Sequence, residues 1–340
     1  MRKVSLLLAI AALSWMQGAN AAELKIATAA PENSQWMQDM RAGAARIKEE
    51  TEGRVVVKIY GGGIQGIDKK VLQKIRVGQL HGGVFTPGSV ADLYGSMNLY
   101  SLPFVFDSPA EVDYVRSKMD AKLAQGLEEA GFISFGFSGG GFALLYSQTP
   151  VRSIDDLSGK KVWVPEGDPI SYSAMKDLGL SPVTLPITDV LTGLQTGLLD
   201  IVAVPPVTAL VLQWHTKVSY MLKVPILYTM GFMAIEKRAF NRLSSADQQV
   251  VRTVMSGVYR KFNDESWQTD IDATAALENA KIEPVYADDA EMARIREIMN
   301  RTNRRLGEEG VFSLPLYEEM LGYIREFRSG AATVTESGSD

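Results

Sequence analysis

The chain has 340 residues, 46% hydrophobic and 22% charged, the composition of a globular protein and not of a disordered one. Its 35 basic and 40 acidic residues give a formal net charge of −5, which offers no basic face for nucleic acid. With no cysteine it has no disulfide, no thiolate metal site and no lipid-bearing residue, so its stability must come from a large core.

The first residues read as a secretory signal. Arg2 and Lys3 precede an apolar run over residues 4–16, and Ala19-Asn20-Ala21 places small residues where a signal peptidase reads them. The run is short of the ~20 residues that span a bilayer. We therefore expect residues 1–22 to be a signal peptide, cleaved after Ala21 or Ala22, and the mature chain to be periplasmic. Losing Arg2 and Lys3 leaves 33 basic against 40 acidic residues, a net charge of −7.

Residues 24–29 alternate like a strand, and Ser34 is placed to cap a helix over 35–51. A strand over 55–60, the turn Gly61-Gly62-Gly63, a helix over 69–77 and a strand over 83–86 follow. A helix over 114–130 and a strand over 133–137 lead to Gly139-Gly140-Gly141, which reads as a hinge or domain crossing. The alternation then restarts: strands at 144–147, 161–164, 183–185 and 201–204, with helices at 170–179 and 189–198. From there on the pattern is helical. Ser244 or Ser245 is placed to cap a helix over about 246–280, spanning roughly 50 Å at 1.5 Å per residue. Helices over 288–309 and 316–327 follow. This order predicts an α/β clamshell of the two-lobed binding-protein kind, braced by the long helix over 245–280. Lobe I takes 23–140 with parts of 235–330, lobe II takes 141–234, and 331–340 is a frayed tail.

Catalytic patterns are few. His81 and His215 have no further histidine or cysteine with which to build a metal site, and each reads as a satisfied surface or helix residue. No nucleophile elbow, phosphate loop or zincin motif occurs. The glycine triplets do not open a helix directly after a strand, as a dinucleotide fingerprint requires. Asp155-Asp156 and Asp288-Asp289 read as caps. We expect no enzyme, no cofactor and no metal.

Five segments carry a resemblance. They are Glu52-Gly53-Arg54 through Gly61-Gly62-Gly63, Leu102-Pro103-Phe104-Val105-Phe106, and Pro150-Val151 through Lys161-Val162. Leu194-Gln195-Thr196-Gly197-Leu198-Leu199-Asp200 and Leu243 through Gln248 complete the set. In this order the chain resembles the solute-binding subunits of tripartite ATP-independent periplasmic (TRAP) transporters, from about residue 24 to 327. The resemblance implies hinge closure on a small-molecule ligand and a partnership with membrane permease subunits driven by an ion gradient. We expect a monomer.

One position departs from that family. Its members carry an arginine one residue before the Val-Pro that follows the lysine segment, and it pairs with the substrate carboxylate; here Trp163 stands there. A second basic residue after the glycine crossing is replaced by Phe142-Ala143-Leu144, and Arg152 reads as a solvated turn residue. The leading expectation is a non-carboxylate ligand, a polyol or amine, with Trp163 offering its ring. Glu166 and Asp168 next to it would repel a carboxylate. An alternative is an organic acid held by Lys161, backbone N–H groups, or the hydroxyls of Thr86 and Ser89. A third is that Trp163 simply packs in the core and transport is lost. Other candidates stand at strand ends, where open α/β lobes place ligands: Glu32, Asn33, Trp36, Phe142, Thr188 and Pro205, with Trp214 and Tyr228 as further aromatic walls. Rival functions are a binding protein for an ATP-driven importer or a sensor, and a periplasmic lyase with Glu166 as its base.

Overall fold

The computed structural model describes residues 21–337; the apolar signal run and the last three residues of the expected tail lie outside the described residues. Lobe I begins with β1 (Ala22–Ala27), α1 (Gln35–Glu50), β2 (Val55–Tyr60), α2 (Asp68–Arg76) and β3 (Gly82–Phe85). Leu24 and Ile26 alternate into its core, and Ser34 starts α1 by accepting a hydrogen bond from the Met37 amide. Then come α3 (Pro109–Glu129), β4 (Phe132–Ser134) and β5 (Ser138–Ser147). Lobe II adds β6 (Trp163–Pro165), α4 (Pro169–Asp177), β7 (Val183–Leu185), α5 (Val190–Gln195), β8 (Ile201–Val204) and α6 (Pro206–Val211). The remainder is β9 (Tyr220–Glu236), α7 (Lys237–Phe240), α8 (Ser245–Asn279), β10 (Glu283–Val285), α9 (Asp289–Glu308) and α10 (Leu314–Ser337).

The main sheet runs in the order β2-β1-β3-β9-β5-β8, with β4 and β10 also paired to β9 and with β6-β7 as a separate parallel pair. β1, β2 and β3 are mutually parallel, whereas β9 is antiparallel to both β3 and β5. The single strand β9 therefore belongs to both lobes.

Three expectations are corrected here. The triplet Gly139-Gly140-Gly141 does not break the chain but lies inside β5, at a register shift between Gly139 and Gly141. There Gly141 takes φ +83°, and a side chain at that position would run into the Asp270 carboxylate of α8. The stretch after residue 204 is not all helical, because β9 fills residues 220–236. Pro225 and Gly231 interrupt its alternation and hide it from a periodicity reading, and the β5 pairing skips from Leu222 to Leu227 across that proline. Finally α10 does not end near Phe327 but continues to Ser337, through Ala331-Ala332, two strong helix formers.

The long helix is capped by Ser244, which accepts from the Asp247 amide. Lys261 near its middle pairs with Asp39 of α1, and Leu277 near its end is fully buried in the lobe II core with Trp163 and Trp214. Arg116 of α3 locks the crossing. Its guanidinium donates to the Phe137 carbonyl at 2.8 Å, the Tyr228 hydroxyl at 2.9 Å, Asp120 at 2.9 Å and Asn263 of α8. Every polar group in that network is thereby satisfied at a point where three elements meet.

Candidate functional site

A cavity of about 1120 Å3 lies between the lobes. It is bordered by the residues that follow β1, β3, β6, β7 and β8, at the carboxyl ends of parallel strands. Its floor is the crossing itself, with Ser138, Gly139, Gly140 and Thr229. The lobes touch across it in two places. A Cβ at Gly63 would lie 3.1 Å from Thr188 Cγ2, and one at Gly88 would lie 3.3 Å from Asp168 Cβ.

The sequence candidates divide. Trp36, Thr86, Ser89, Trp163, Glu166, Asp168, Thr188 and Pro205 border the cavity. Thr86 and Ser89 are bonded to each other: the Thr86 amide donates to Ser89 Oγ, which donates to the Thr86 carbonyl at 2.8 Å. Asp68, at the start of α2, borders the cavity beside Ser89, and burial pushes its carboxyl up. Glu166 is exposed and its carboxylate has no ion pair among the described residues. Thr188 bonds to its neighbour Asp189 at 3.1 Å.

Other candidates are moved elsewhere. Glu32 and Asn33 lie off the cavity. Glu32 pairs with Arg41 and accepts from the Gly61 amide at 3.2 Å, so it latches the glycine turn to α1 instead of facing a ligand. Phe142 is buried, packed at 6.0 Å on Tyr228 and 5.7 Å on Trp267. Tyr228 and Trp214, both 1% exposed, are core residues too.

The expectation that Trp163 offers a free ring to the ligand is corrected. The residue borders the cavity but is only 4% exposed, edge-on to Trp214 at 5.2 Å. Its indole N–H is spent on the Leu185 carbonyl at 2.9 Å, because a buried tryptophan must find a partner for that group. Asp168 is corrected as well. It caps α4, accepting from the amides of Ile170 and Ser171 at 3.0 Å and from the Ser171 hydroxyl at 2.6 Å. Burial nonetheless pushes its carboxyl up, against those three bonds. Lys161 turns away, its Nζ donating to the Gly197 carbonyl at 2.7 Å.

Two basic side chains border the cavity, Lys69 of α2 and Arg152 of the β5–β6 loop, and neither had been singled out as a ligand contact. Both are exposed and, among the described residues, neither makes an ion pair or side-chain hydrogen bond. Only the fold brings these two isolated residues to one cavity. The histidines stay outside: the Lys25 amide donates to His81 Nδ1 at 2.9 Å, and His215 Nδ1 lies 3.2 Å from the Ala209 carbonyl.

The model of the bacterial extracellular solute-binding protein family 7 matches residues 26–309. The chain belongs to that family. Its members are periplasmic, bind small ligands and work with membrane permease subunits, and the chain is a TRAP-type solute-binding protein. It is 25% identical over 286 residues to the uncharacterized protein YiiZ of Salmonella typhimurium, covering 81% of this chain and 85% of that one. It is also 26% identical over 211 residues to the 2,3-diketo-L-gulonate-binding periplasmic protein YiaO of Escherichia coli, covering 60% and 63% of the two chains. In fold it is similar to the sugar acid binding protein DctPAm of Advenella mimigardefordensis, solved in complex with galactonate. That match has a TM-score of 0.82 at 20% identity and covers 90% of this chain and 98% of that one. YiaO and DctPAm are both named as binding proteins.

Proposed function

We propose that the mature chain captures a small organic acid and delivers it to a TRAP-type permease, with Arg152 as the carboxylate's main partner. The observation that carries this is the placement of two cations, Lys69 and Arg152, neither in an ion pair among the described residues, on the wall of the inter-lobe cavity. A guanidinium makes two parallel charged hydrogen bonds to a carboxylate, so one arginine can stand in for another at a different point on the wall. The ligands named for the YiaO and DctPAm relatives are acids, which favours the same class here. The expectation of a polyol or amine loses its main support, since Trp163 and Asp168 are committed to packing and capping.

Export fits the same reading. The backbone of Ala22 opens β1 and donates to the Arg54 carbonyl at 2.7 Å, so cleavage after Ala21 would keep the whole strand. The lobe boundaries proposed for the mature chain are 23–140 with parts of 235–330 for lobe I and 141–234 for lobe II, with β9 crossing between them.

Thermal unfolding of the mature protein against a library of acids, amines, polyols and neutral solutes tests the ligand class. An acid at 100 times its dissociation constant should add about 2.7 kcal/mol of stability. Arg152→Gln should weaken that acid by about tenfold or more while leaving the unliganded protein within ~0.5 kcal/mol of the parent. Stabilisation by amines or polyols alone would overturn the assignment.

A further inference from the structure

The cavity is larger than a small polar acid requires, and one side of it is of the wrong chemistry for sugar hydroxyls. At about 1120 Å3 it exceeds the ~300–1,000 Å3 of pockets that hold drug-sized ligands. Its lobe II side is walled by three apolar surfaces. Met175 comes from α4 and Leu178 from its C-cap, Met292 and Ile295 from α9, and Leu222 and Ile226 from β9. All six are half-buried. Met175, Leu178, Leu222 and Ile226 pack from one side on the buried cluster of Val151, Leu157 and Leu180, and all six border the cavity with what stays exposed.

The roof of this chamber is held by polar ties at its ends. At one end the Glu291 carboxylate accepts from the Ile154 amide at 2.6 Å. At the other, Asp177 at the end of α4 accepts from the Thr302 hydroxyl at 2.6 Å and from Arg305 at 2.8 Å. Helix α9 is therefore fixed over α4 by its ends, and the apolar stretch between those ties is left facing inward. Val151 packs in the same cluster as Leu145 and Leu157, next to the unpaired Arg152. A cation thus stands at the edge of an apolar chamber.

We propose that this chamber is a subsite for an apolar tail, and that the ligand is an amphipathic acid with several contiguous methylene or aromatic carbons behind its carboxylate. The carboxylate assignment rests on the function proposed above; the tail assignment rests on the chamber alone. A polyhydroxylated acid would find no hydrogen-bond partner on those six side chains, and burying its hydroxyls there would be costly. A hydrocarbon gains what they offer. Methionine on two of the three surfaces suits tails of variable shape, because its unbranched side chain repacks easily.

The test is a calorimetric series on the mature protein, running from butanoate to decanoate, with the matching primary alcohols and amines and with galactonate beside them. Affinity should rise about fourfold per added methylene until the chamber is full. Ile295→Trp, which fills the chamber, should flatten that rise without weakening butanoate. Met292→Gln, smaller and only half-buried at its site, should lower the slope if the tryptophan variant fails to fold. A flat series, whether or not galactonate binds, overturns the chamber, and so does a slope that both variants leave intact. A slope seen with alcohols or amines but not with carboxylates supports the chamber and sinks the acid assignment instead.

Discussion

The two lobes meet the cavity with walls of different construction. Lobe I offers loop tips and a helix start, where Thr86 and Ser89 are tied to each other by hydrogen bonds and Asp68 lies beside them. The opposite side offers helix faces, apolar on α4 and α9, with Asp168 already spent as a cap and Glu166 exposed beside it. Polar loops that hold one another can fix a ligand's orientation, while an apolar helix face supplies burial without direction. The contrast suggests that recognition and affinity are divided between the lobes, and that whatever joins them must hold the two walls in register.

Arg116 makes that joint, and its loss should be the largest effect. Arg116→Ala would leave the Phe137 carbonyl, the Tyr228 hydroxyl and Asn263 without their donor and Asp120 without its pair. A loss of about 3–5 kcal/mol in denaturant unfolding is expected for breaking one side of such a buried network. A cost below ~1 kcal/mol would mean that the walls are held together elsewhere, and that the crossing is not the shared support.

Next in size is a pH effect confined to the lobe II side of the crossing. Asp270 of α8 lies against Gly141, its Oδ1 has no hydrogen-bond partner among the described residues, and burial pushes its carboxyl up to about 7, with Lys223 pulling the other way. The Tyr146 hydroxyl, within its electrostatic reach, is also unpartnered. The folded protein then holds a proton on Asp270 up to about pH 7, whereas the unfolded chain releases it near 4. Between those values the native state binds more protons, so this group's contribution to stability falls as pH rises through the window and levels off above it. The full change is at most about 4 kcal/mol at 1.36 kcal/mol per pH unit. Asp270→Asn should remove that slope when unfolding free energies of parent and variant are compared from pH 4 to pH 8. Parallel curves would show that the carboxyl is already ionised in the native state.

The smallest effect separates capping from ligand contact on the lobe II wall. Asp168→Ala should cost about 1 kcal/mol of stability through the lost cap, while Asp168→Asn should cost far less, because asparagine caps equally well. Both should change acid affinity by less than about threefold. A large gain in affinity in both variants would mean that Asp168 faces the ligand as a repulsive charge, and that the wall is more polar than its helix faces suggest.

Much of the fold was legible in the sequence, and much less of the site. Helix starts at Ser34 and Ser244, the alternation of β1 through β3, the long α8 and the family motifs could all be read from short windows, because a cap or a strand period depends on residues only a few positions apart. The site was harder. Thr86, Ser89 and Thr188, chosen by their position after strands, border the cavity, whereas Glu32 and Phe142 met the same rule and were drawn elsewhere by Arg41, Tyr228 and Trp267. No local pattern marks Arg152, or the stripe Met292 and Ile295, as cavity wall.

The sequence alone determined the family, the α/β alternation, the long brace and the absence of the usual arginine at Trp163, all of which are written in contiguous residues. Only the tertiary structure decided that β9 threads both lobes, that Trp163 spends its N–H on Leu185, and that one wall of the cavity is apolar. Each of those depends on which distant partner arrives: a strand with Pro225 and Gly231 in it pairs only because β3 and β5 flank it, and a tryptophan turns inward only because a carbonyl 22 residues away is there to receive it.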